Sequence, residues 1–160
     1  MPFALLLLLV SALLTPASAV LRAQTSGAAA ALDFTYYRTK VEPIFAATRP
    51  GHTRCISCHG HGTTMRLVPP APGAKTWTEE ESRRNFQTVA FRVLPRAPMS
   101  SRLLVHPLAT EGGGTFYHTG GKHWESFFNP EWQAIANWIC GVKANEKTWQ
   151  ITGACPEEMH

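Results

Sequence analysis

Residues 55–59 read Cys-Ile-Ser-Cys-His, the C-x-x-C-H spacing at which a haem is attached covalently to a polypeptide. No other stretch restricts the possible folds as much. Two thiols three positions apart reach the two vinyl groups along one edge of the porphyrin and form thioethers, while the adjacent imidazole comes up beneath the iron as proximal ligand. Cys55 and Cys58 are then the attachment sites and His59 the proximal ligand, and the rest of the chain folds as a shell around one haem c. The same spacing also serves zinc knuckles and thioredoxin-like redox pairs. The compartment to which the chain is sent argues against both.

Residues 1–23 read as a secretory signal. Ala4 to Leu14 is an unbroken apolar run but for Ser11, the length of a signal-peptide core and too short to cross a bilayer comfortably. Ala17-Ser18-Ala19 offers a cleavage site and Leu21-Arg22-Ala23 a second. No Lys or Arg precedes the run, which keeps an uncleaved anchor open as the alternative. The chain is therefore expected in the periplasm or otherwise exported, where both haem attachment and disulfides belong.

Without the signal about 140 residues remain, enough for one domain with a single core. Formal charge is +4, a mild excess that orients docking onto an acidic redox partner or a membrane surface. Nucleic acid is not an expected partner, since the basic residues are scattered and no base-reading motif is present.

Residues 24–32 form a small-residue spacer, expected to be flexible. From Asp33, a good N-cap, apolar residues at Phe34, Tyr37, Val41, Ile44 and Phe45 have helical spacing, with a bend or restart at Pro43. The Arg66–Gly73 stretch, rich in proline, is expected as an extended loop wrapping the cofactor. Thr78-Glu79-Glu80-Glu81 is a capping box and predicts a helix from Glu79 to about Val93, buried along Phe86, Val89, Ala90 and Val93. Ser100 or Ser101 is expected to cap a short turn through Val105. Glu111 to Gly121 holds five glycines in eleven residues, a loop that an external bond such as a ligand must fix. Asn129 and Pro130 open a last helix with Trp132, Ile135, Ala136 and Ile139 on one face, ending near Gly141. Cys140 and Cys155 remain as an even pair in an oxidising compartment and are expected to form a disulfide stapling the tail, 144–160, to that helix. Such a loop is worth roughly 3 kcal/mol in the chain-entropy model.

Taken in order, the strings Val41-Glu42-Pro43-Ile44-Phe45, Cys55 to Gly60, Pro98 to Leu104, His118 to Lys122 and Trp132 to Ile139 resemble the planctomycete-type branch of class I-like cytochrome c domains, over about Phe34 to Val142. The resemblance implies an all-α fold, a small cytochrome c-like domain over 33–143 in which N- and C-terminal helices pack beside one covalent haem, joined by long loops.

The distal ligand is open among several side chains with iron-binding atoms. His61 lies too close to the attachment site to cross the ring plane, and Met65 is little better placed. Met99 stands where class I cytochromes often supply a methionine. The resemblance favours His118, followed by Thr119-Gly120-Gly121-Lys122 as in the family's sixth-ligand segment. His106, His123 or an open position are the other choices. Trp77, Trp124, Trp132, Trp138 and Phe45 either surround the porphyrin or form ordinary core.

Electron transfer is the leading expectation, with a redox protein or a respiratory-complex subunit as partner and no catalysis. A haem enzyme or a gas or redox sensor with an open or labile sixth position is the alternative. A third reading makes the haem a structural staple within a larger complex.

Overall fold

The computed structural model describes residues 32–157. The expected signal segment and residues 24–31 of the spacer lie outside the described residues. Leu32, assigned to that spacer, instead belongs to the core, at 5% exposure.

The chain is helical, and among the described residues there is no strand, only isolated bridges at Arg49/His52 and Leu108/Trp124. This agrees with the all-α class. Helix α1 (Phe34–Tyr36) is capped by the Asp33 carboxylate, which accepts from the Tyr36 N–H, and runs through a π-helical turn, Tyr37–Val41, into α2 (Glu42–Ala46). The disturbance predicted at Pro43 takes the form of this widened turn. Proline lacks an N–H and its ring crowds the carbonyl one turn back. In the turn before it, the Glu42 N–H therefore reaches Tyr37 O, five residues back.

Helix α3 (Cys55–His59) carries the C-x-x-C-H string. Helix α4 (Glu79–Ala90) starts with the predicted capping box, Glu81 N–H to Thr78 Oγ1 at 3.3 Å and Thr78 N–H to Glu81 Oε2 at 2.8 Å. It stops one turn short of the predicted Val93, ahead of Pro95. Helix α5 (Arg102–Val105) follows. The Ser101 hydroxyl does not cap it; that oxygen accepts from Leu94 N–H at 2.9 Å and donates to Ala97 O at 2.9 Å, closing the loop before it. Helix α6 (Pro130–Ile139) starts with Pro130 at its first position and Asn129 Oδ1 accepting from Glu131 N–H at 2.9 Å.

The N-terminal helical segment, α4 and α6 meet in an aromatic cluster. Tyr37 lies 5.4 Å from Trp138 and 5.3 Å from Phe86, and Phe86 lies 5.9 Å from Trp138. The Trp138 indole N–H donates to Asp33 O at 3.0 Å, tying α6 to the start of α1. All four residues expected on the α6 face are fully buried. The Arg66–Gly73 loop, expected to wrap the cofactor, runs from the end of α3, where Leu67 N–H bonds His59 O at 2.7 Å, onto α4. Val68 is held at both backbone groups by the Asn85 amide (2.7 and 3.0 Å), and its carbonyl also accepts from Trp77 Nε1 at 2.6 Å. One amide and one indole at this single residue override the loop's freedom.

Asn85 belongs to a buried polar group around Glu42, which is 2% exposed. Ser82 Oγ donates to Glu42 Oε2 at 2.6 Å and Asn85 Nδ2 to Oε1 at 3.3 Å. Burial pushes the Glu42 carboxyl above its ordinary value of 4.5, and the Ser82 and Asn85 bonds and the Arg38 charge only partly offset this. A carboxyl that folding makes more basic binds its proton better in the native state, so its contribution to stability falls as pH rises from the unfolded value through the folded one. Glu42→Gln keeps the acceptor toward Asn85 and can donate to Ser82 Oγ. The gap in melting temperature between Glu42→Gln and wild type is therefore expected to widen in favour of the variant as pH rises from 5 to 8, read by thermal scans. A constant gap would mean that Glu42 stays ionised throughout.

The tail folds back as expected. Cys140 and Cys155 are disulfide-bonded, and Ile151 is fully buried. Two amide side chains of α6 read the tail backbone. Gln133 bonds both the N–H and the carbonyl of Ile151 (2.8 and 2.7 Å), and Asn137 does the same for Trp149 (2.7 and 2.8 Å). Arg96, at a left-handed φ of 62°, donates its N–H to Ile139 O at 2.8 Å and its guanidinium to Cys140 O at 3.4 Å and Pro156 O at 3.3 Å. A cation thus meets the carbonyl end of α6.

Candidate functional site

Helix α3 is pinned from its N-terminal side. Arg49, nearly buried, donates Nη2 to Ile44 O at 2.9 Å and Nε to Glu131 Oε2 at 2.6 Å, with Nη1 3.9 Å from Cys55 Sγ. The same carboxylate oxygen accepts from Trp124 Nε1 at 3.1 Å. One ion pair therefore couples the cysteine helix to the first turn of α6. Cys55 and Cys58 are not bonded to each other; Cys58 is exposed and Cys55 partly so. Burial raises the Cys55 thiol above its ordinary value, and the Arg49 charge opposes this.

His59 ends α3 with its Nδ1 3.0 Å from both Met65 O and Thr63 Oγ1. Its ring faces that of His118, the centroids 6.4 Å apart and the planes within 14° of parallel. His118 Nδ1 lies 2.7 Å from Gly121 O. Each imidazole thus uses Nδ1 on a backbone carbonyl of its own loop, the arrangement that orients a metal-ligating histidine. This leaves Nε2 as the available nitrogen of both. A metal–imidazole bond of about 2 Å, with the nitrogen about 1.1 Å from its ring centroid, puts the centroids of two rings on one ion about 6 Å apart. Burial pushes His59 below its ordinary value, favouring the neutral form a ligand needs.

The loop carrying His118 does not wait for an external bond. Gly114 N–H reaches Ala109 O at 2.9 Å, Thr115 N–H reaches Val105 O at 2.8 Å, and the Lys122 ammonium donates to Thr115 O and to His106 O (2.9 Å). Gly114 is required here, since a Cβ would stand 1.9 Å from Leu108 O. The glycines of this segment permit tight backbone crossings and do not signal looseness.

Between these imidazoles lies a cavity of about 300 Å³ lined by Cys55, Cys58, His59 and His118 and by apolar groups including Ile44, Phe45, Leu103 and Trp124. Of the aromatics weighed above, Phe45 and Trp124 line it. Trp77, Trp132 and Trp138 do not, and are buried as ordinary core. Among the other distal candidates, His106 and His123 line the cavity and Met99 does not. The methyl of Met99 packs where a Cβ on Gly113 would stand, and its Cγ lies close to Gly153. His61 is exposed and does not line this cavity. Met65 lines the cavity beside His59. His106 Nε2 accepts from Arg102 Nε at 3.3 Å. His123 is 9% exposed, with its Nδ1 buried and without a partner; its ring lies 5.1 Å from His52 and 6.0 Å from His118. Burial, followed by the Arg49 charge, pushes it down to about 4.

The residues present fit a covalently held haem: two thiols and two carbonyl-oriented imidazoles converge on one apolar cavity. Among the described residues, no three His, Cys, Asp or Glu side chains converge as a structural zinc ion requires. Neither a scan of family models nor searches of curated proteins and solved structures find a match to this chain.

Proposed function

We propose that this chain is an exported electron-transfer protein with a cytochrome c-like fold, carrying one haem c through Cys55 and Cys58, with His59 as proximal and His118 as distal ligand. The observation that carries this reading is the His59/His118 pair, facing each other across the cavity beside the two thiols, each Nδ1 on a carbonyl of its own loop. When bound, the haem supplies a one-electron ferric/ferrous couple. The chain's own residues do the rest. Met65 O and Thr63 fix the tautomer of His59, and Gly121 O fixes that of His118. Ile44, Phe45, Leu103 and Trp124 exclude water from the cavity. A second imidazole in place of methionine sets the potential lower than a Met/His pair would. With both axial positions filled by side chains, no substrate need bind.

One observation favours the second reading, a sensor or enzyme whose sixth position opens. His123 stands buried beside His118 with an unpartnered nitrogen, a group able to hydrogen-bond a small ligand there.

Spectra separate the two. Protein purified from a host competent for covalent haem attachment is expected to give a pyridine haemochrome and a low-spin ferric spectrum lacking the methionine-to-iron charge-transfer band. His118→Ala is expected to turn it high-spin and open it to carbon monoxide, while Met99→Ala leaves it unchanged. A high-spin wild type that binds carbon monoxide readily would put the second reading first.

A further inference from the structure

Apart from its histidines, the cavity wall carries charge of one sign. Arg54, Arg92 and Arg102 contribute to it and, among the described residues, no Asp or Glu does. Arg92 is the most telling of them. It leaves the C-terminal end of α4, its Nη2 donates to Thr64 O, and its Nε is buried without a hydrogen-bond partner. A guanidinium N–H withdrawn from water and left unpaired is destabilising, so the site is built for an acceptor that the protein does not itself supply. The backbone brings a second guanidinium alongside. Leu103 N–H donates to Arg92 O at 2.9 Å, which sets the start of α5, and with it Arg102, next to Arg92. Arg102 spends its Nε on His106 and keeps its terminal nitrogens free of protein acceptors.

From this geometry we infer that Arg92 and Arg102 form an anion subsite in the cavity wall, and that its ligand is the carboxylate edge of the prosthetic group. The inference rests on the haem reading above. A haem fixed through its vinyl groups at α3 still carries two propionates on the other side of the ring. In an apolar cavity these need charge-assisted donors, and guanidinium forks match carboxylates in shape as well as charge. Arg92 lies just past the end of α4 and Arg102 opens α5, both outside the attachment helix, so thioether formation and carboxylate capture fall to different parts of the chain. Both arginines would hold the group at its carboxylate edge and leave the iron to the histidines.

The test uses haem-loaded protein, wild type beside Arg92→Gln, Arg102→Gln and, as control, Arg84→Gln, an exposed α4 residue paired with Glu80. Resonance Raman and redox titration are read on each. In both cavity variants the propionate deformation band is expected to shift and the midpoint potential to fall, because a cation near the iron disfavours the ferric state. The low-spin spectrum and haem content should be unchanged, Arg92→Lys should restore the potential in part, and Arg84→Gln should match wild type. Arg102, being exposed, keeps the test open if Arg92→Gln fails to fold. A Raman band and potential identical to wild type in the cavity variants would overturn the subsite while leaving the haem assignment standing. Absence of covalent haem from the wild type would overturn that assignment, and the subsite with it.

Discussion

Replacing Cys55 and Cys58 together by alanine is expected to abolish covalent haem, taking the pyridine haemochrome and the haem mass increment from full occupancy to nothing. The effect is total because thioethers form only at thiols, and the remaining free pair is already spent: Cys140 is bonded to Cys155. Stability should fall as well. The cavity between His59 and His118 is walled by Ile44, Phe45, Leu103 and Trp124, side chains that without a covalent occupant face a void or loosely held water, and filling such space is what core packing rewards. Haem that still resists acid-acetone extraction in the double variant would rule out the attachment site. A zinc or thiol-redox role predicts a different result, a wild type that carries no haem.

The second large effect is on the fold. Trp138→Ala is expected to destabilise the domain by about 3–5 kcal/mol, the range for emptying a buried aromatic site. That is a large share of the roughly 5–15 kcal/mol by which a domain is stable. Two things are lost at once. The indole leaves Tyr37 and Phe86, and its N–H leaves Asp33 O, the bond joining α6 to the start of α1. Trp138→Phe separates these contributions, since a ring stays against Tyr37 while Asp33 O loses the indole donor and keeps the Tyr37 N–H, a change of about 0.5–1.5 kcal/mol. Urea titrations of both variants measure the difference. An alanine variant within 1 kcal/mol of wild type would mean that the terminal helices hold together without this cluster.

Local signals were the legible ones. Asp33, Thr78/Glu81 and Asn129/Pro130 bond at the helix starts they were expected to start, because a cap is decided within four residues. The Cys140/Cys155 staple followed from counting thiols. The distal side was only half legible. His118 was favoured through a resemblance, and nothing in the sequence indicated that Gly121 O would take its Nδ1 or that Met99 would lie off the cavity against Gly113. The glycine-rich loop was misjudged because a glycine needed for a tight crossing, such as Gly114, looks in sequence like one present for freedom. The hold of Asn85 on the Arg66–Gly73 loop was not legible, because Asn85 is 17 residues from Val68. The tail's attachment through Gln133 and Asn137 could not be read from α6, where both look like ordinary polar helix positions.

By itself, the sequence determined the starts of α1, α4 and α6, the disulfide and the C-x-x-C-H string, all properties of short spacings whose physics closes within a turn or by counting thiols. Only the tertiary structure decided which histidine meets His59, which aromatics line the cavity and which arginines reach its wall. Those depend on bringing together segments dozens of residues apart, at distances of a few ångströms that no local pattern encodes.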